Sequence, residues 1–202
     1  MKKFLALVMS VLMLTLLFTA CGKADDSSDN DNSAYPPSET ETNFVEIKVT
    51  GYGNIVVELY PETAPITVAN FKKLVSEKFY DGLIFHRVIE SFMIQGGGIT
   101  QQYTQKECDT IKGEFSANGI ANDLLHTRGV ISMARTNVMD SASSQFFIMH
   151  QDAPHLDGDY AAFGMTVEGI EVVDKIAAVQ TDYYDMPVED VVIESIRFVE
   201  PK

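Results

Sequence analysis

The stretch Phe85–Gly98, FHRVIESFMIQGGG, is dominated by large apolar side chains, yet it holds an arginine at 87 and a glutamine at 95 and ends on three glycines. Polar groups set among Phe, Val, Ile and Met must either find partners or be put to use. On the two sides of Glu90-Ser91, GLIFHRVI and FMIQGG read as short strands rich in β-branched and aromatic residues. Working outward, GVISMAR, SQFFIMH and YAAFGMTV read the same way, as does the last segment, DVVIESIRFVE. Upstream, FVEIKVTGYGNIVVELY alternates apolar and polar residues around Gly51-Tyr52-Gly53-Asn54, the pattern of a β-hairpin.

Two helices interrupt the strands. Pro65 suits a first helical turn, and Val68, Phe71, Leu74 and Val75 share one helical face, with Gly82 expected to stop the helix. A shorter helix is expected at Ile170–Ala177. Many short strands, two helices and no βαβ rhythm predict a mainly β, antiparallel sandwich or barrel with helical plugs.

Before Asn43 the chain changes character. Met1-Lys2-Lys3 precedes FLALVMSVLMLTLLFTA, an uncharged apolar run that reads as a secretory signal over residues 1–20, somewhat short for a membrane span. It ends LFTAC, which resembles the lipobox of bacterial lipoproteins, with Phe18 where that motif carries an aliphatic residue. The resemblance implies lipidation at Cys21 and a protein held outside the cytoplasm at the bacterial cell membrane. Residues 22–42 are rich in Asp, Ser, Asn and Pro, and are expected to form a disordered tether ahead of a domain over 43–202.

The formal charge of −14, from 29 acidic and 15 basic residues, leaves no basic stripe for a phosphate backbone, so nucleic acid is excluded as a partner. Cys108 is a lone thiol in a loop once Cys21 is assigned to the leader. The four histidines, His86, His126, His150 and His155, match no compact zinc spacing. His86 is expected to be structural and hydrogen-bonded, and Asp157-Gly158-Asp159 to form a turn.

Four segments, FHRVIESFMIQGG, GVISMAR, SSQFFIMH and HLDGDYAAFG, stand in the order and approximate spacing of the cyclophilins, peptidyl-prolyl cis-trans isomerases. The resemblance runs from about Phe44 to Glu200. It implies a closed eight-stranded antiparallel β-barrel capped by two helices, with a substrate groove on its outer face. Position by position, Arg87 is similar to the family's catalytic arginine, with Gln95 beside it. Phe92, Met93, Phe147 and Leu156 match its proline pocket. Gln145 and the backbone near Ala134, Arg135 and Thr136 match the groups that hold the peptide, and His155 and Tyr160 fall on the groove wall.

Chemistry makes sense of that set. Rotation about an X–Pro bond faces a barrier of roughly 20 kcal/mol and takes tens of seconds or more unaided. No bond is made or broken, so no nucleophile, metal or cofactor is needed. A guanidinium that donates a hydrogen bond to the prolyl nitrogen favours the twisted amide over either planar form, and Arg stays charged and presents rigidly placed donors. Taken alone, Arg87 would read as a surface arginine with its stem over apolar neighbours, and Met93 and Phe147 as core.

The chain also departs from the family pattern. His155 stands where the best-known eukaryotic members carry tryptophan, which implies weak cyclosporin sensitivity. Tyr160 replaces a frequent histidine, Gly98 a common aspartate, and ITQQYTQKECDT lacks the glycines usual in that loop. The expectation is a lipid-anchored, monomeric isomerase acting on proline-containing chains during folding of exported proteins. A cyclophilin-like binding module or holdase without catalysis is the alternative.

Overall fold

The computed structural model describes residues 35–202, in which eight strands form one antiparallel sheet that closes on itself. β1 (Phe44–Val49) and β2 (Gly53–Leu59) form the expected hairpin, with Val49 opposite Gly53. Helix α1 (Pro65–Ser76) follows, then β3 (Leu83–Ile89), β4 (Met93–Thr100), β5 (Val130–Met133), β6 (Phe146–Met149) and β7 (Ala162–Glu168). Helix α2 (Ile170–Ala177) precedes the last strand, β8 (Ile193–Phe198).

The strand order is β3-β4-β6-β5-β7-β2-β1-β8. The ring is completed by bonds from Gly82 and Phe85 to the carbonyls of Ile193 and Val191. This is the expected barrel, and closure removes the unpaired edges an open sheet would expose.

The interior follows from alternation, because successive strand residues face opposite sides. Ile94, Phe146, Ile148 and Ile131 point inward and join the main core, while Met93, Phe147, Met149 and Val130 belong to a second cluster outside the barrel wall. Phe71 of α1 plugs the barrel against Tyr80, Phe163 and Phe146, with ring centroids 5.2, 5.3 and 5.7 Å apart. Val172, Val173, Ile176 and Ala177 of α2 bury the other apolar stripe.

Two expectations need correction. Helix α1 ends at Ser76 rather than running on to Gly82; Lys78 takes a left-handed φ of 54°, and Gly82 instead serves the turn into β3 with φ 75°. The helix also has no capping side chain of its own. Glu114, from the long loop after β4, does that work: its carboxylate accepts the N–H groups of Ile66 and Thr67 at 3.0 and 2.7 Å.

Second, the segment Tyr35–Thr42, assigned by composition to the tether, packs on the domain. Tyr35 is buried against Phe44, Val56 and Val199. Pro37 bridges Val199, and Ser38 and Glu200 donate backbone bonds to Phe198 and Pro36. Tyr35 and the two prolines supply apolar contact that the surrounding acidic residues obscure in an average over the segment. The leader, Cys21 and the rest of the tether lie outside the described residues. Among the described residues, no helix is long and apolar enough to cross a membrane.

Candidate active site

Strict alternation from Phe85, which is fully buried in the core, would place Arg87 inside the barrel too. A β-bulge prevents this. Phe85 pairs with Gly96 and Arg87 with Gln95, so His86 is an extra residue on β3 and the phase of the strand is reset. Arg87 emerges on the outer face while Val88 returns to the core. Bulges re-aim side chains in this way next to functional sites. The cost falls on His86, whose pKa is pushed down by burial first, with the adjacent Arg87 cation adding to it, so the ring is neutral.

From Arg87 a row crosses the outer wall in register: Arg87 opposite Gln95, Gln95 opposite Phe147, and Phe147 opposite Ser132. Arg87, Phe92, Met93, Gln95, Ala134, Arg135, Phe147, Leu156 and Tyr160 line a hollow of about 150 Å³. That is below the ~300–1,000 Å³ usual for a whole small molecule and suits one ring of a longer chain. Its floor is apolar, with Met93 and Phe147 only 2% and 5% exposed.

A second, polar hollow adjoins it and shares Gln95, Ala134 and Arg135, adding Gln105, Thr136, Ser141, Ser143 and Gln145. The amide Nε2 of Gln95 donates to Oε1 of Gln145 at 2.9 Å, linking the two. Together they form a groove able to take an extended peptide. His155 lines neither hollow; it is exposed and stacks on Phe92, centroids 5.5 Å apart.

The three glycines that end the opening stretch belong to this geometry. Gly97 has φ 83°, and a Cβ there would lie 2.8 Å from the Phe146 ring. A Cβ on Gly98 would lie 2.4 Å from Cγ of Gln145, so the glycine leaves the space that Gln145 occupies. The loop without the usual glycines folds back as a tight turn: Thr100 and Thr104 bond through backbone and hydroxyls, Lys106 N–H reaches the Gly98 carbonyl, and Gln105 arrives at the polar hollow.

Several supporting residues carry no sequence signal of their own. His126 lies beneath the pocket, its ring stacked on Phe147 at 6.0 Å. Its Nδ1 is 3.0 Å from Asp157 and its Nε2 3.0 Å from Ser132. Burial pushes its pKa down against the raising effect of Asp157, so this contact is a hydrogen bond from a neutral ring rather than an ion pair. A carboxylate accepts only, so Nδ1 carries the proton and Nε2 accepts from the Ser132 hydroxyl. Ser132 is fully buried, which removes it from contact with any ligand.

Arg135 is sandwiched by Phe115 and Tyr160, 4.9 and 4.7 Å from the ring centroids, and donates from Nε and Nη2 to the Asp159 carbonyl. The turn that presents Phe92 is tied down where Ser91 N–H donates to His150 Nδ1 at 2.9 Å and His150 Nε2 meets Asp174 at 3.2 Å. Among the described residues, no three His, Cys, Asp or Glu side chains gather as a metal site requires.

Solved structures share this architecture. A Cryptosporidium parvum cyclophilin-type isomerase, crystallised in the presence of the dipeptide Ala-Pro, superposes with a TM-score of 0.67 at 27% identity over 79% of this chain and 99% of its own. The fold is therefore that of a cyclophilin barrel. The family model "Cyclophilin type peptidyl-prolyl cis-trans isomerase/CLD" matches residues 44–198. A peptidyl-prolyl cis-trans isomerase of Acinetobacter baylyi is 50% identical over 71% of this chain and 76% of its own length. Isomerase A of Dickeya dadantii is 38% identical over 98% of both. The chain belongs to the cyclophilin-type peptidyl-prolyl cis-trans isomerases and is an enzyme of that class.

Proposed function

We propose that Arg87 drives the isomerisation by donating to the prolyl nitrogen as the amide twists, while Phe92, Met93, Phe147 and Leu156 hold the pyrrolidine ring. The observation that carries this reading is the bulge at His86, which lifts one permanently charged side chain out of the core and sets it on the rim of the apolar hollow. Gln95 and Gln145, with the backbone at Ala134, Arg135 and Thr136, hold the flanking peptide. A fixed donor favours the twisted state only when it meets charge that the planar states lack. The prolyl nitrogen regains its lone pair at that moment.

The substrates are proline-containing polypeptides. The apolar leader ending at Cys21 supports a lipid-anchored enzyme outside the cytoplasm, where exported proteins refold. Two experiments test this. A protease-coupled assay on a short X–Pro peptide compares the full chain, in mild detergent, with Arg87→Ala. The variant is expected to lose most of its rate enhancement with its thermal unfolding unchanged. Retained activity in Arg87→Ala would overturn the arginine's role, and no activity in either would favour a binding module. For the anchor, fatty-acid labelling of the expressed protein is expected to disappear in Cys21→Ser, and an unlabelled wild type would refute it.

A further inference from the structure

The loop between α2 and β8 makes a contact with the catalytic face that the reaction as described does not use. Its shape is fixed from within. The Asp182 carboxylate accepts the N–H groups of Tyr184 and Met186 at 2.8 and 3.0 Å, Asp182 N–H donates to the Met186 carbonyl, and Thr181 bridges Pro187. At its tip stands Asp185, in the left-handed region with φ 64°. Non-glycine residues are uncommon there, and Asp and Asn are among those that tolerate it.

Asp185 engages two consecutive residues of β3. Its carbonyl accepts the Val88 N–H at 2.8 Å, and its carboxylate Oδ2 lies 3.4 Å from Nε of Arg87. Among the described residues, Asp185 is the acid within ion-pair distance of Arg87. Both side chains are 42% exposed, and pairs that exposed contribute little to stability. Orientation is another matter. A guanidinium carries five donors on a flexible stem, and a partner at Nε leaves the four Nη–H donors unclaimed. Holding a reacting group in its working rotamer removes ordering that the transition state would otherwise require.

We propose that Asp185 is a positioning residue: it holds Arg87 through Nε so that the Nη donors face the groove. This rests on Arg87 being the catalytic donor. The test uses the full chain and Asp185→Asn, which tolerates the same backbone conformation and has nearly the same shape without the charge. Asp185→Asn is expected to lower kcat/KM three- to tenfold, mostly through kcat, with Tm within about 2 °C of the parent. In the Arg87→Ala background the same substitution is expected to change nothing. The Arg87 Nε–H resonance, assigned by its loss in Arg87→Ala, is expected to move to the averaged arginine position in Asp185→Asn.

Unchanged activity in Asp185→Asn, or an equal loss with Arg87 already removed, would overturn the positioning role. An Arg87→Ala variant that keeps full activity would overturn the arginine reading itself, a different failure seen in a different variant.

Discussion

Glu114→Ala removes a carboxylate that reaches α1 from 47 residues away along the chain. Glu114 is 2% exposed and accepts two backbone N–H groups of the helix's first turn, at 3.0 and 2.7 Å. Hydrogen bonds to charged groups contribute about 1.5–3 kcal/mol each, and a partly buried anion at a helix N-terminus up to ~2 kcal/mol. Against this stands the desolvation of the carboxylate, several kcal/mol, which alanine no longer bears. After the substitution, Thr67 N–H is left buried without an acceptor, at about 1–3 kcal/mol, whereas the N–H of half-exposed Ile66 regains water. The balance is a loss of about 3 kcal/mol. At ~2–4 °C per kcal/mol for a domain of this size, Tm falls by about 6–12 °C.

Glu114→Gln keeps one acceptor but turns an amide N–H₂ toward a donor, so about 2 kcal/mol is expected. Urea unfolding followed by circular dichroism gives both values from the midpoint at unchanged slope. A loss under 1 kcal/mol in Glu114→Ala would refute the cap as the helix's anchor.

Three further outcomes follow from other parts of the structure. Gly98→Ala places a methyl where Gln145 lies, breaking its bond to Gln95; kcat/KM is expected to fall two- to fivefold while Tm moves little, since a neutral hydrogen bond is worth about 1 kcal/mol, and an unchanged kcat/KM would refute the pairing. The folded pKa of His126 is depressed, so the unfolded chain binds its proton first, near pH 6.5. The stability from this site is complete above that pH and is lost as pH falls below it. Thermal scans from pH 7.5 to 5 are expected to show a steeper decline in the parent than in His126→Gln, and parallel curves would count against it. Deleting residues through Thr42 uncovers Phe44, Val56 and Val199. It should cost about 1–2 kcal/mol, since full burial of a large apolar side chain gives ~1.5–3 kcal/mol before ordering is subtracted, and an unaltered urea midpoint would show that the segment contributes nothing.

What was legible in the sequence was local and periodic. The β1–β2 hairpin announced itself by alternation around Gly51 and Gly53, and α2 by a clean apolar stripe between Ile170 and Ala177. The groove residues on β4 and β6 were recognisable through their family pattern, and nine of the expected residues line one hollow. The rest depended on contacts between distant segments. Nothing around Glu114 marks it as the cap of a helix that begins at Pro65. The bulge at His86 is set by pairing with β4, so alternation read along β3 alone would bury Arg87. His126 and Asp185 sit in loops whose polar composition reads as solvent exposure, and only the barrel brings one under Phe147 and the other beside Arg87. Tyr35 was lost in a segment averaged as acidic.

The described chain joins the barrel at one defined place, the strap that begins at Tyr35. Tyr35 and Pro37 fasten onto β1, β2 and the end of β8. In the ring of strands, β1 stands four places from β6, which carries Phe147 of the groove. The strap therefore meets the barrel across the ring of strands from Phe147. Because β8 is in turn bonded to β3, which carries Arg87, a load on the strap has a bonded route of one strand to the arginine and of three to Phe147.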